Sequence, residues 1–162
     1  MVLVNVLSGD ITEVEAGALI ATIRPDGTRT GLLDQQIEEC AGALYHSQIE
    51  AMRLTNLEAV MVTPPRRHYG SFACVIFVPH HPRESLRKVI SAGLITANVN
   101  RLRSVVLPVV RNGLRVDDHA LKETALAVKS FMNSDPSHLS KISIVVNYPR
   151  GEQYLKRVFN AM

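Results

Sequence analysis

Two kinds of apolar block alternate along this chain. Short continuous runs at 2–7, 17–23, 57–63, 72–78, 104–110 and 141–146 are rich in β-branched residues and are bounded by Gly, Pro, Asn or Asp, the signature of strands. Between them lie longer stretches with apolar residues at three- and four-residue spacing. Leu33, Ile37, Cys40, Ala41 and Leu44 predict a helix over about 32–52. Leu86, Val89, Ile90, Leu94 and Ala97 predict a second over 83–101. Leu121, Ala125, Val128 and Met132 mark a third, capped by Asp117 or Asp118, and Tyr154, Leu155, Val158 and Phe159 a short terminal helix over 151–162. Residues 10–15 suit a single turn capped by Asp10 or Thr12.

Strands alternating with helices imply crossover connections and a largely parallel sheet with helices on both faces. The expected architecture is a three-layer α/β/α sandwich around a mixed, mostly parallel sheet, with residues 1–162 forming one domain. The run at 104–110 is apolar throughout, the pattern of a strand covered on both sides. Ligands of open parallel sheets bind at the carboxyl ends of the strands. That rule gathers Gly9-Asp10, the loop from Arg24 to Gly31, the loop from Arg111 to Arg115, and Asn147-Tyr148 onto one rim.

The chemistry of this rim favours an anion. Gly31 and Gly113 each sit where a strand turns into a helix, which presents backbone N–H groups and the positive end of a helix dipole. Both are also simple turn glycines. Arg24, Arg29, Arg111 and Arg115 are either solvated side chains or a cluster in which charge grips phosphate. Asp10 is a cap or an acceptor for an exocyclic amine. Tyr148 either stacks on a ring or packs at a strand end.

Composition narrows the field. At 162 residues, 46% hydrophobic and 20% charged, the chain suits a single core. A net charge of +3 tolerates phosphate ligands but is no nucleic-acid signature. Arg66-Arg67-His68 reads first as an exposed basic turn. His80-His81 lacks a third ligand, so no metal site is expected. Cys40 and Cys74, in apolar patterns without CxxC spacing, read as buried free thiols of a reducing compartment. The apolar start is too short for a signal peptide and no run suits a membrane span, so a cytoplasmic protein is expected. No nucleophile elbow or cofactor motif is present.

These residues also carry a resemblance. Gly9-Asp10-Ile11-Thr12, the helix from Asp34 to Gly42, Val75-Ile76-Phe77-Val78-Pro79, and the stretch from Val105 to Gly113 together resemble a macrodomain, the family that binds ADP-ribose. The likeness covers nearly the whole chain. It implies that Asp10 contacts the adenine amino group, with the Ile11 N–H beside it. The family's Asn-Ala-Ala-Asn becomes Ala21-Thr22-Ile23-Arg24, so Arg24 stands where an Asn positions the distal ribose. Its triple glycine becomes Arg29-Thr30-Gly31. Its Ser-Thr-Gly becomes Arg111-Asn112-Gly113, with Arg115 at an aromatic position. The ligand-binding set expected from resemblance and rim together is Asp10, Ile11, Arg24, Thr30, Gly31, Arg111, Asn112, Gly113, Arg115 and Tyr148.

Catalysis in this family needs a water held near the distal ribose, and only Asp34 or Asp26 offers itself for that task. Binding of ADP-ribose or a related nucleotide diphosphate therefore ranks first, hydrolysis of ADP-ribosylated protein or nucleic acid second, and an RNA-binding scaffold third.

Overall fold

A computed structural model describes residues 1–28, 31–109 and 118–160. Its strands are β1 (Leu3–Leu7), β2 (Ala16–Ile23), β3 (Val60–Val62), β4 (Phe72–Pro79), β5 (Ser104–Pro108) and β6 (Lys141–Val145). They form one sheet in the order β1-β6-β5-β2-β4-β3. Every neighbouring pair is parallel except β3 and β4, which are antiparallel. The carboxyl ends of β1, β6, β5, β2 and β4 therefore share one edge.

Register fixes which side chains meet. Val4 and Val105 flank Ile142, Ala18 flanks Val105, and Ile20 lies beside Ile76. On this face Ile20, Ile76, Val78, Leu107 and Ile144 are buried beneath α3 (Leu86–Val99), α4 (Asp118–Asn133) and α5 (Pro149–Asn160). The opposite face buries Leu19, Ile23, Val75, Phe77 and Val106 beneath α1 (Leu32–Ala41), α2 (His46–Glu50) and a 3-10 turn at Ile11–Glu13. Val105, Val106 and Leu107 are thus covered from both sides, as their unbroken apolar run requires. The α/β/α layering is the expected one.

Two expectations are corrected. The single helix over 32–52 is two helices. Gly42 follows α1 with φ +59° and donates its N–H to Glu38 O at 2.7 Å. This left-handed geometry suits glycine and ends the helix even though the apolar spacing runs on to Leu44. The strand at 57–63 shrinks to Val60–Val62 because Leu57 adopts φ +62° while its N–H donates to Pro79 O. Among the described residues no helix is long and apolar enough to cross a membrane.

Candidate ligand-binding site

The parallel edge carries the described part of the expected rim. In spatial order it carries the end of β1 (Gly9, Asp10), of β6 (Asn147, Tyr148), of β5, and of β2 (Arg24). β1 and β2 lie three strand spacings apart, about 14 Å at ordinary sheet separation. A ligand that reaches from Asp10 to Arg24 must be elongated.

Asn147 closes the β1–β6 side. Its Oδ1 accepts from Gly9 N at 2.6 Å and its Nδ2 donates to Gly9 O at 2.9 Å. This clamp has no local signature, since its partners lie 138 positions apart.

Asp10 is the N-cap of the 3-10 turn. Its Oδ1 accepts from Thr12 N at 2.9 Å and from Thr12 Oγ1 at 2.7 Å. Among the described residues nothing donates to Oδ2. Cap and ligand acceptor are therefore compatible roles, one for each carboxylate oxygen. Ile11 anchors the turn by burying its side chain in the cluster that contains Val106 and Val145. The turn touches both β5 and α1, so it crosses the sheet face between β1 and β2. Beside it, Leu3 and Leu7 on the outer strand stay exposed.

Arg24 is exposed and opens a closed turn. Its N–H donates to Thr28 O, its carbonyl accepts from Gly27 N, and Asp26 Oδ1 accepts from Thr28 N. Hydrogen bonds from Thr28, aided by the Arg24 charge, hold the Asp26 carboxyl below its usual range. Gly31 is the N-cap of α1 with φ +154°, backbone that L side chains rarely adopt. Tyr148 is 37% exposed, and its ring lies close over Gly151 at the start of α5. Arg29, Thr30, Arg111, Asn112, Gly113, Arg115 and Asp117 lie outside the described residues.

Asp34 is the surprise. It is 2% exposed, in the first turn of α1, and its Oδ1 lies 2.7 Å from Nε2 of the equally buried His46. The His46 ring meets Phe77 edge-on at 5.3 Å. The carboxylate that sequence offers for hydrolysis is thus engaged in tying α1 to α2 above β4.

A second polar cluster braces the site from behind. His68 does not belong to the exposed basic turn of Arg66 and Arg67. Its Nδ1 accepts from Gly70 N at 3.0 Å, so Nε2 carries the proton and donates to Tyr45 Oη at 2.7 Å. Close by, Ser71 N donates to Thr12 O and Tyr69 N to Cys40 O, which fastens this loop to the 3-10 turn and to α1. Burial lowers the His68 pKa from its usual 6.5. The unfolded chain then binds the proton more readily, so stability is full above about pH 6.5 and declines as pH falls through the folded value. Urea unfolding between pH 5 and 7.5 checks this: His68→Gln should flatten the decline.

Both cysteines are free thiols. Cys74 is buried, donates to Gly17 O and has its pKa pushed up to about 11 by burial; Cys40 is half-buried and raised for the same reason. Neither is an activated nucleophile.

No family sequence model matches this chain, and no curated protein matches it by sequence. Solved structures do. A Trypanosoma brucei macrodomain in complex with ADP-ribose superposes with a TM-score of 0.80 at 17% identity, over 96% of this chain and 68% of that one. The fold is that of a macrodomain. A mutant of the Oceanobacillus iheyensis macrodomain gives a TM-score of 0.75 at 12% identity, over 96% of this chain and 90% of that one. The macro domain of ganglioside induced differentiation associated protein 2 gives 0.76 at 15% identity, over 96% and 83%. Identities this low explain why sequence models miss a macrodomain fold that backbone geometry displays.

Proposed function

We propose that this chain binds ADP-ribose or a closely related nucleotide diphosphate along the carboxyl edge of its sheet. Fold and topology support the reading: a macrodomain fold in which the ends of β1, β6 and β2, with Asp10, Ile11, Asn147, Tyr148 and Arg24, follow one sheet edge. The solved Trypanosoma brucei neighbour holds ADP-ribose. In this chain Oδ2 of Asp10 takes the adenine amino group, the Ile11 N–H lies beside it, and Tyr148 flanks the ring. Gly31 lets the backbone approach the diphosphate, and Arg24 supplies charge where a macrodomain usually places Asn. On this reading the ligand comes free or carried on ADP-ribosylated protein or RNA.

Binding ranks above hydrolysis because Asp34 is buried against His46. A thermal-shift panel of ADP-ribose, AMP, NAD and short RNA tests the reading. At a hundredfold excess over Kd, ADP-ribose should stabilise the fold by about 2.7 kcal/mol. That corresponds to a rise in Tm of roughly 5–10 °C for a chain of this size. No shift with any nucleotide overturns the proposal. A shift with RNA alone that collapses with added salt would replace it by the scaffold reading. Release of ADP-ribose from a modified peptide would instead promote hydrolysis.

A further inference from the structure

A cavity of about 160 Å³ lies between Pro25–Gly27 of the Arg24–Thr28 turn and α2. α2 sits over the β3–β4 half of the sheet. Gln48 Nε2 donates to Thr63 O just past β3, and His46 meets Phe77 of β4. The rim runs from β1 to Arg24 at the end of β2, so the cavity adjoins its β2 end and lies away from β1 and β6. The cavity is therefore separate from the space that Asp10 and Asn147 border.

Its wall is apolar at Ile49, Met52 and Leu54, and polar at Asp26, Glu50 and His46. Asp26 and Glu50 are exposed, whereas His46 is 2% exposed. His46 Nε2 lies 2.7 Å from Asp34 Oδ1. Nδ1 has no hydrogen-bond partner among the described residues and lies 3.9 Å from Glu38 Oε1. Carboxylates thus stand both at the cavity (Asp26, Glu50) and behind its imidazole (Asp34, Glu38). Two arginines stand near them: Arg24, whose charge acts on Asp26, and the exposed Arg53, between the lining residues Met52 and Leu54. A volume of this size admits a group about as large as benzene, well below the 300 Å³ or more of a drug-sized site.

An apolar wall with carboxylates around it suits a short alkyl chain ending in a cation. We propose that this cavity is a subsite for an alkylammonium side chain, a lysine of the protein that carries the nucleotide. The inference rests on the nucleotide reading for the identity of that protein. With ADP-ribose in the rim, the modified chain passes the Arg24–Thr28 turn and places a basic side chain in the cavity.

The test is an NMR titration of the intact protein with n-butylammonium and, separately, n-butanol, following the methyl groups of Ile49, Met52 and Leu54. n-Butylammonium should give saturable shifts that n-butanol does not. Glu50→Gln should weaken them by up to about fivefold while leaving Tm unchanged, as expected for an exposed charge. Absent shifts, equal shifts with the alcohol, or an unaltered response in Glu50→Gln would overturn the proposal. ADP-ribose is titrated in parallel, following the amides of Gly9 to Ile11. If those amides respond while the cavity methyls ignore n-butylammonium, the subsite fails alone. If the cavity responds and those amides do not, the nucleotide reading fails and takes the lysine donor with it.

Discussion

Replacing Asp34 with Ala should lower stability by about 1.5–3 kcal/mol, because it leaves a buried donor without its acceptor. His46 would keep its Nε2–H inside the core, edge-on to Phe77, with nothing of equal strength to accept it. Asp34 also sits in the first turn of α1, where the helix dipole favours a negative charge. Since domains are stable by only about 5–15 kcal/mol, the loss is a large share of the total. It should appear as a fall in Tm of roughly 5–10 °C. His46→Ala should cost a similar amount, and the double variant markedly less than the two together, since each single change strands the other partner. Urea unfolding of the four proteins measures the coupling. A change below about 1 kcal/mol in Asp34→Ala would mean that the pair is not a structural tie, and would return the carboxylate to the hydrolysis reading.

That pair also marks where sequence reasoning stops. The layers, the mostly parallel sheet and the doubly covered β5 followed from period and composition, because burial on one or two faces writes itself into apolar spacing. The Asp10 cap was legible for the same local reason: a short acceptor just before a turn has few alternatives. Asp34 and His46 are 12 positions apart across a helix break that the apolar stripe conceals, and no local pattern announces a contact of that kind. Asn147 on Gly9 depends on β1 and β6 being neighbours, a property of topology alone. In sequence His68 reads as one more polar residue of a basic turn, whereas in the fold the backbone of Gly70 and the hydroxyl of Tyr45 claim both of its nitrogens. Gly9-Asp10-Ile11-Thr12 builds a capped turn, a physical job that does not depend on any ligand.

Asp10→Asn should separate that job from recognition. Asn is as good an N-cap as Asp, so its Oδ1 can still accept from Thr12 N and Oγ1, and stability should change by no more than a few tenths of a kcal/mol. The second carboxylate oxygen, however, becomes an NH2 group. Under the nucleotide reading that position faces the adenine amino group, so an acceptor meeting a donor turns into two donors meeting. Loss of a hydrogen bond to a charged group is worth about 1.5–3 kcal/mol. ADP-ribose affinity should therefore fall roughly tenfold to a hundredfold in Asp10→Asn. Asp10→Ala should show the same loss of affinity together with about 1 kcal/mol of lost stability from the missing cap. Calorimetric titration with ADP-ribose, alongside thermal unfolding without it, reads both effects on the same samples. If Asp10→Asn binds ADP-ribose as tightly as the parent, the second oxygen does not touch the base, and the carboxylate serves the turn alone.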